Sequence, residues 1–380
     1  MRKICILSGK RGGYGALMRT MDLIKKDPDL ELQLIVTDMH LSSKFGKTLF
    51  EVEKSFKVKA KVDMKQLDDS PLGRTEALIR CLEKIPHAFQ KLKPDIFLCL
   101  GDRGEVLVSV IAAMNMGIPV AHIQGGDISG NLDEFFRHAI TKLSHIHFPS
   151  TKDSAKRIEK MGEEKWRIFV VGDTHVDLIA NKMHTQNHIV RKKFGLGEKE
   201  KYLILLQHSV NTEPEKSYSQ MLQTLKAVKK TNLRSIIVYP CSDQGYQGII
   251  DAIEKFRKEK NFSFHKNIEA PDFLGLLSGA EVLVGNSSSG IIEAPYFKLP
   301  VVNIGKRQLG RVRDKNVIDV KENSRKIFEA INKALSDTKF RKSLKECGKI
   351  YGDGQAAERI VKVLKEIEIN EKLMEKKMTY

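Results

Sequence analysis

The chain has 380 residues, 41% hydrophobic and 30% charged, with a formal net charge of +17. That length suits about two domains with a sizeable core, and no apolar run is long enough to span a bilayer as a helix. The basic residues are interleaved with acids, aromatics are few and no zinc-finger spacing occurs, so the charge points to a polyanionic small ligand and away from nucleic acid.

The five cysteines (Cys5, Cys81, Cys99, Cys241, Cys347) have no paired spacing and read as reduced thiols of a cytoplasmic protein. The first strand follows directly on Met1-Arg2-Lys3, too soon for the apolar core of a signal peptide. Lys3–Leu7 is that strand, followed by the glycine-rich stretch Gly9 to Gly15, a helix carrying Leu17, Met18, Met21 and Ile24, and a second strand over Glu31–Thr37. This is a βαβ opening. Its glycines miss the G-x-G-x-x-G register, which argues against a dinucleotide site with Asp38 on a ribose. Arg11 is a candidate phosphate contact, or else a solvated loop cation.

Residues 46–70 read as a basic loop, and Thr75–Lys91 as a helix with Leu78, Leu82, Ile85 and Phe89 on one face. The strands Ile96–Leu100 and Pro119–Ile123 end in Gly101-Asp102-Arg103 and in Gln124-Gly125-Gly126-Asp127. In an open parallel sheet the ligand crevice lies outside such strand ends, so two acids there favour function over helix capping. Asp133 and Glu134 open the next helix and share a face with Arg137 and His138 one turn on, either as an acid pair serving the helix dipole or as an acid/base cluster. No H-x-x-x-H spacing accompanies them, and no metal is expected. Strands at 146–149 and over Trp166–Val171 complete the first half.

The second half repeats the alternation. Strand Tyr202–Leu206 is followed by His208, and strand Ser235–Tyr239 by Pro240-Cys241-Ser242-Asp243. The apolar run Val282–Val284 meets Gly285-Asn286-Ser287-Ser288-Ser289-Gly290, and Ile291, Ile292 and Glu293 are expected to open a helix. Strand, Ser/Gly turn and helix N-terminus make an anion site, with a carboxylate placed for ribose hydroxyls. The plainer reading is a Ser-capped helix, but Arg307 and Arg311 beyond strand Pro300–Ile304 favour the anion site. Helices follow at 323–336, 338–347 and 354–376, with a frayed tail over Lys376–Tyr380.

These motifs resemble the hydrolysing UDP-N-acetylglucosamine 2-epimerase family over residues 1–360. Four stretches carry the likeness: Gly-Asn-Ser-Ser-Ser-Gly-Ile-Ile-Glu-Ala-Pro at 285–295, Asn-Ile-Gly-x-Arg-Gln-x-Gly-Arg at 303–311, Asp-Glu-x-x-Arg-His-Ala-Ile-Thr-Lys at 133–142 and Gly-Asp-Arg at 101–103. The resemblance implies an α/β chain of two Rossmann-like domains facing a cleft, the glycosyltransferase-B architecture. The domains are expected at 1–174 and 175–356, with a helix over about 357–380 packing back on the first. It further implies a homodimer or homotetramer and no metal or redox cofactor. The implied activity converts a UDP- or GDP-linked acetamido sugar and water to the free 2-epimer and nucleoside diphosphate, in sialic-acid-type biosynthesis.

Expected acid/base residues are Asp102, Asp127, Asp133, Glu134 and His208. Expected substrate and nucleotide contacts are Arg11, Arg103, Arg137, His138, Asp243, Ser287, Ser288, Ser289, Gly290, Glu293, Arg307 and Arg311. Three positions depart from the family pattern: Gly-Gly-Tyr-Gly after Arg11 in place of Ala-Asp-Tyr-Gly, Leu100 where histidine is frequent, and Asp127 where glutamate is commoner. A glycosyltransferase of the same architecture and a non-catalytic nucleotide-sugar sensor are the alternatives.

Overall fold

A computed structural model describes residues 1–46, 48–129 and 132–380. The chain divides into two compact units, Met1–Ile128 with Leu132–Asn181 and Tyr351–Tyr380, and Ser129–Asn131 with Lys182–Ile350.

The first unit is built on a parallel sheet of β1 (Arg2–Ser8), β2 (Leu30–Thr37), β3 (Val58–Val62), β4 (Ile96–Leu100), β5 (Val120–Ile123) and β6 (Ile146–Phe148), in the order β3-β2-β1-β4-β5-β6. Both faces are covered, so its strands read as nearly continuous apolar runs. In β1, Ile4 and Ile6 pack in one core with Leu17, Met21, Ile24 and Ile360, while Cys5 and Leu7 pack in the other with Cys81, Ile85 and Phe89. Full burial of each large aliphatic side chain is worth about 1.5–3 kcal/mol.

The second unit repeats the plan with β7 (Tyr202–Leu206), β8 (Arg234–Val238), β9 (Phe262–His265), β10 (Val282–Gly285), β11 (Val301–Ile304) and β12 (Val317–Val320), in the order β12-β11-β10-β7-β8-β9. Among the described residues all pairings in both sheets are parallel. Each sheet has its topological switch point where the first strand of the unit meets the fourth, β1 against β4 and β7 against β10.

Several local expectations change. The glycine-rich stretch is helix from Arg11 onward, because Lys10 is already extended and Tyr14 N–H donates to the Lys10 carbonyl. The supposed loop at 46–70 contains a short helix, Leu49–Glu53, and β3, an edge strand whose alternation Val58-Lys59-Ala60-Lys61-Val62 is masked by lysines. β9 and β12, the edges of the second sheet, have no counterpart among the expected strands. The helix expected at 75–91 starts at Pro71, capped by Ser70 Oγ, and buries Ala77, Cys81, Ile85 and Phe89; Leu82 is exposed. Trp166–Val171 is not a strand: Lys165–Arg167 is a 3-10 turn, and Ile168 makes an isolated bridge to His147.

The first unit also runs on past residue 174. The helix Thr174–Ala180 packs on the helix Arg11–Lys26, and the Asp177 carboxylate accepts from the N–H groups of Ala356 (3.0 Å) and Ala357 (2.7 Å), capping the returning helix Ala356–Glu366. That helix stops at Glu366, and a short turn of helix, Glu371–Met374, follows under an Asn370 cap. The tail beyond it is not frayed at its start. Arg167 donates to the carbonyls of Leu373 and Lys372, and Lys376 reaches Glu163 at 2.7 Å, where the carboxylate also meets His147 and Lys142.

Candidate active site

The carboxyl ends of β1, β4 and β5 hold the first cluster. The helix Arg11–Lys26 starts there with no side-chain cap and no acid in its first turn, an arrangement that favours an anion. Arg11 is its first residue. After β4, Gly101 (φ +80°) turns the chain and Asp102 follows. Arg137, 1% exposed, pairs through Nη2 with the Asp102 carboxylate and donates through Nη1 to the Asp127 carbonyl at 2.9 Å. One guanidinium thus ties two strand ends together. The Asp127 carboxylate accepts from Ser154 Oγ at 2.5 Å and is buried. Asp133 stands one helical turn before Arg137 and is buried; Glu134, half exposed, lies 3.8 Å from His138 Nε2. Burial, then the neighbouring Arg137, pushes His138 below the ordinary histidine value, with Glu134 opposing.

Two expected phosphate contacts are differently employed. Arg137 serves Asp102 and Asp127 from a buried position. Arg103 meets Asp38 (3.4 Å) and Glu105 (3.3 Å), and Arg74 meets the same two acids at 3.6 and 2.6 Å. Burial would raise the Glu105 carboxyl, but Arg103 and Arg74 outweigh it and hold the group at about 2. This neutral quartet of charges, with Asp38 at φ +45°, braces the ends of β2 and β4. A guanidinium whose fork is filled by carboxylates has little left for phosphate.

The ends of β7, β8, β10 and β11 hold the second cluster. Gly285 (φ +135°) ends β10 so close to β7 that a Cβ would lie 2.0 Å from the Leu206 carbonyl oxygen, and only glycine fits. Asn286 follows and binds the backbone of His208 through its side chain. Arg307 donates to the Asn286 carbonyl (3.3 Å) and to Asp243 (3.4 Å); Arg311 donates to Gln308 Oε1 (3.3 Å), and Gln308 to the Asn286 carbonyl (2.9 Å). His208, Asp243, Arg307 and Arg311 therefore gather around Asn286. The Ser287 hydroxyl accepts from the Ser289 N–H at 3.3 Å, while Ser288 and Ser289 are half-buried.

The expected helix after this turn is only Ser289–Ile292, cut short by Pro295, so its dipole is small. An anion here would depend on hydroxyls, backbone N–H groups and the two arginines. Gly290 packs against Val301 in β11, and Glu293, 8% exposed, ends the turn. Glu293→Ala and Ser288→Ala are each expected to weaken UDP binding by about 1–3 kcal/mol in calorimetric titration without unfolding the chain. Unchanged affinity in both would remove this turn from the site.

Sequence reasoning missed Asn286, Gln308, His122 and Ser154. His122, fully buried in β5, donates from Nε2 to the Gly101 carbonyl (2.7 Å), and its Nδ1 lies 3.2 Å from Thr141 Oγ1. Its partners are local to the strand ends, but Ser154 is 27 residues from Asp127 and carries no pattern that announces the contact.

Burial lowers His122 to about 3, and likewise His40, between Ser8 and Thr48, and His145 to about 4. With an unfolded value near 6.5, each stabilises the fold fully above that pH and loses the contribution as pH falls toward the folded value. Thermal melts between pH 8 and 5 are expected to show a loss of about 1–2 kcal/mol per histidine at pH 5. His40→Gln and His145→Gln should each flatten the slope; an equally steep slope in both variants would contradict the assignment.

Two parallel Rossmann-like sheets with polar clusters at their switch points define an α/β enzyme of the glycosyltransferase-B-like class. The pattern describing the UDP-N-acetylglucosamine 2-epimerase family matches residues 22–365. The chain is 34% identical over its full length, and the full length of the relative, to a UDP-N,N'-diacetylbacillosamine 2-epimerase (hydrolyzing) of Legionella pneumophila. It is 35% identical to a GDP/UDP-N,N'-diacetylbacillosamine 2-epimerase (hydrolyzing) of Campylobacter jejuni, over 84% of each chain. The crystal structure of the Neisseria meningitidis UDP-GlcNAc 2-epimerase bound to UDP-GlcNAc shares the fold at TM-score 0.80 and 18% identity, covering 96% of this chain and 99% of that one. The chain belongs to the UDP-N-acetylglucosamine 2-epimerase family and is an enzyme of the nucleotide-sugar 2-epimerase class.

Proposed function

We propose that the enzyme cleaves a UDP-linked 2-acetamido sugar with water, inverting the acetamido carbon and releasing the free 2-epimer and UDP, a step of sialic-acid-type sugar biosynthesis. The observation that carries the reading is the set of buried Asp127 and Arg137 with partly buried Asp102, gathered at adjacent strand ends. Phosphate departure alone needs no such density of acids, whereas moving protons on and off carbon does.

In the first half-reaction a carboxylate, Asp127, removes the proton from the acetamido carbon. The C–H electron pair forms the double bond to the anomeric carbon as the anomeric C–O bond breaks, and the nucleoside diphosphate leaves with that bond's electrons. Ser287–Ser289, Arg307 and Arg311 would meet the diphosphate, and Glu293 the ribose. In the second half, water's hydroxide adds at the anomeric carbon and a proton is delivered to the opposite face of the acetamido carbon. Asp133 and Glu134 are the further acids at hand, while Asp102, paired to Arg137, would add charge at the same strand ends.

The full-length likeness to a diacetylbacillosamine 2-epimerase favours a 2,4-diacetamido sugar over the monoacetamido one. We further assign the active species as a cytoplasmic homodimer or homotetramer. Incubation with UDP- and GDP-linked mono- and diacetamido sugars, with no acceptor present, tests the reading through the identity of the free sugar. Release of an uninverted sugar, or of none from the whole panel, would refute it.

A further inference from the structure

We propose that Asn286 is a positioning residue that presets His208 as a hydrogen-bond donor through Nε2. This rests on the epimerase reading of the same site. Asn286 is 3% exposed and His208 6%. The Asn286 side chain grips the backbone of His208 from both sides: Oδ1 accepts from the His208 N–H at 2.7 Å, and Nδ2 donates to the His208 carbonyl at 2.9 Å. The two residues are 78 apart in sequence, and β10 and β7 pair directly as far as Gly285 and Leu206. The side-chain amide thus continues the pairing of the two strands beyond the last ladder bond, from the Asn286 N–H to the Leu206 carbonyl (3.3 Å), and the His208 backbone is registered against the Ser/Gly turn.

The anchored backbone in turn holds the ring against the strand end of β8. The Cys241 N–H donates to His208 Nδ1 at 3.2 Å. A backbone N–H can only donate, so Nδ1 is the acceptor and the neutral imidazole carries its proton on Nε2. With Nδ1 occupied in this way, His208 in its neutral form offers a donor to the substrate and not a base. The backbone carbonyl of Asn286 meanwhile accepts from Arg307 Nη1 and Gln308 Nε2, so the residue that registers His208 also registers the arginine loop. Those two bonds use the main chain and survive truncation of the side chain, which lets the two functions be separated.

Asn286→Ala and Asn286→Asp are the variants to make, read by kcat, KM, UDP affinity, melting temperature and the ¹⁵N shifts of the His208 imidazole. The expected result for Asn286→Ala is a fall of about 10- to 100-fold in kcat, with KM and UDP affinity within about threefold of wild type. The His208 resonances are expected to move away from a single Nε2–H tautomer. Asn286→Asp places a carboxylate oxygen against the His208 carbonyl; its kcat relative to wild type is expected to recover as pH falls and the carboxyl regains a donor proton. Unchanged kcat with a single Nε2–H tautomer in Asn286→Ala, or a loss carried wholly by UDP affinity, would overturn the proposal. If wild type turns over no nucleotide sugar, the epimerase reading fails, while the tautomer measurement still decides the role of Asn286.

Discussion

Asp127→Asn is expected to lower kcat by about 10²–10⁴-fold, the range associated with loss of a positioned general acid or base, while UDP affinity and melting temperature stay near wild type. The amide keeps the shape of the side chain and can still accept from Ser154 Oγ, which lies 2.5 Å from Asp127 Oδ1. It cannot take up a proton at neutral pH. The Asp127 carbonyl, which accepts from Arg137, is unaffected by the change, so the strand-end geometry is retained. Equal losses in kcat and kcat/KM would mark an interaction made only in the transition state. Ser154→Ala should cost far less, because it frees the carboxylate's orientation without removing its basicity. Near-normal turnover by Asp127→Asn in a steady-state assay would strike Asp127 from the catalytic set.

Turnover in deuterium oxide is expected to place deuterium at the acetamido carbon of every product molecule, with inverted configuration there. Elimination removes the original hydrogen, and the carboxylates at the ends of β4 and β5 exchange their protons with solvent before the second half-reaction. A simple glycoside hydrolase breaks only the anomeric bond and leaves that hydrogen in place. A glycosyltransferase idling on water does the same. Proton NMR of the released sugar separates the outcomes, since the acetamido-carbon signal either vanishes or persists. A protonated carbon of original configuration, released at a steady catalytic rate, would rule out the elimination chemistry.

Most of the sheet-forming pattern was legible because both faces of each parallel sheet are buried. Runs such as Ile4–Leu7, Ile96–Leu100 and Tyr202–Leu206 are apolar throughout and stand out from their surroundings. The edge strands β3, β9 and β12 were not, because one side of an edge is solvated and lysine or polar residues interrupt the run. Leu82 shows the same limit on a helix: periodicity put it on one face with Leu78, Ile85 and Phe89, and packing selected the face through Ala77 and Cys81 instead.

The same division holds for the candidate site. Residue types and their positions after strands are local properties, so the chain alone determined the alternating α/β plan, the acids after β4 and β5, and the Ser/Gly turn after β10. What it left open is pairing, which depends on contacts distant in sequence. Arg137 and Arg103 looked alike as cations near a strand end, yet Arg137 is taken up by Asp102 and the Asp127 carbonyl, and Arg103 by its near neighbour Glu105 and by Asp38 from the end of β2. In sequence Asn286 is one residue of the Ser/Gly turn, and only the register of β10 against β7 makes its side chain a clasp on His208. Hydrophobic periodicity is written along the chain and determines where the elements lie. Charge pairing and tautomer choice arise between elements, and the tertiary structure alone decided them.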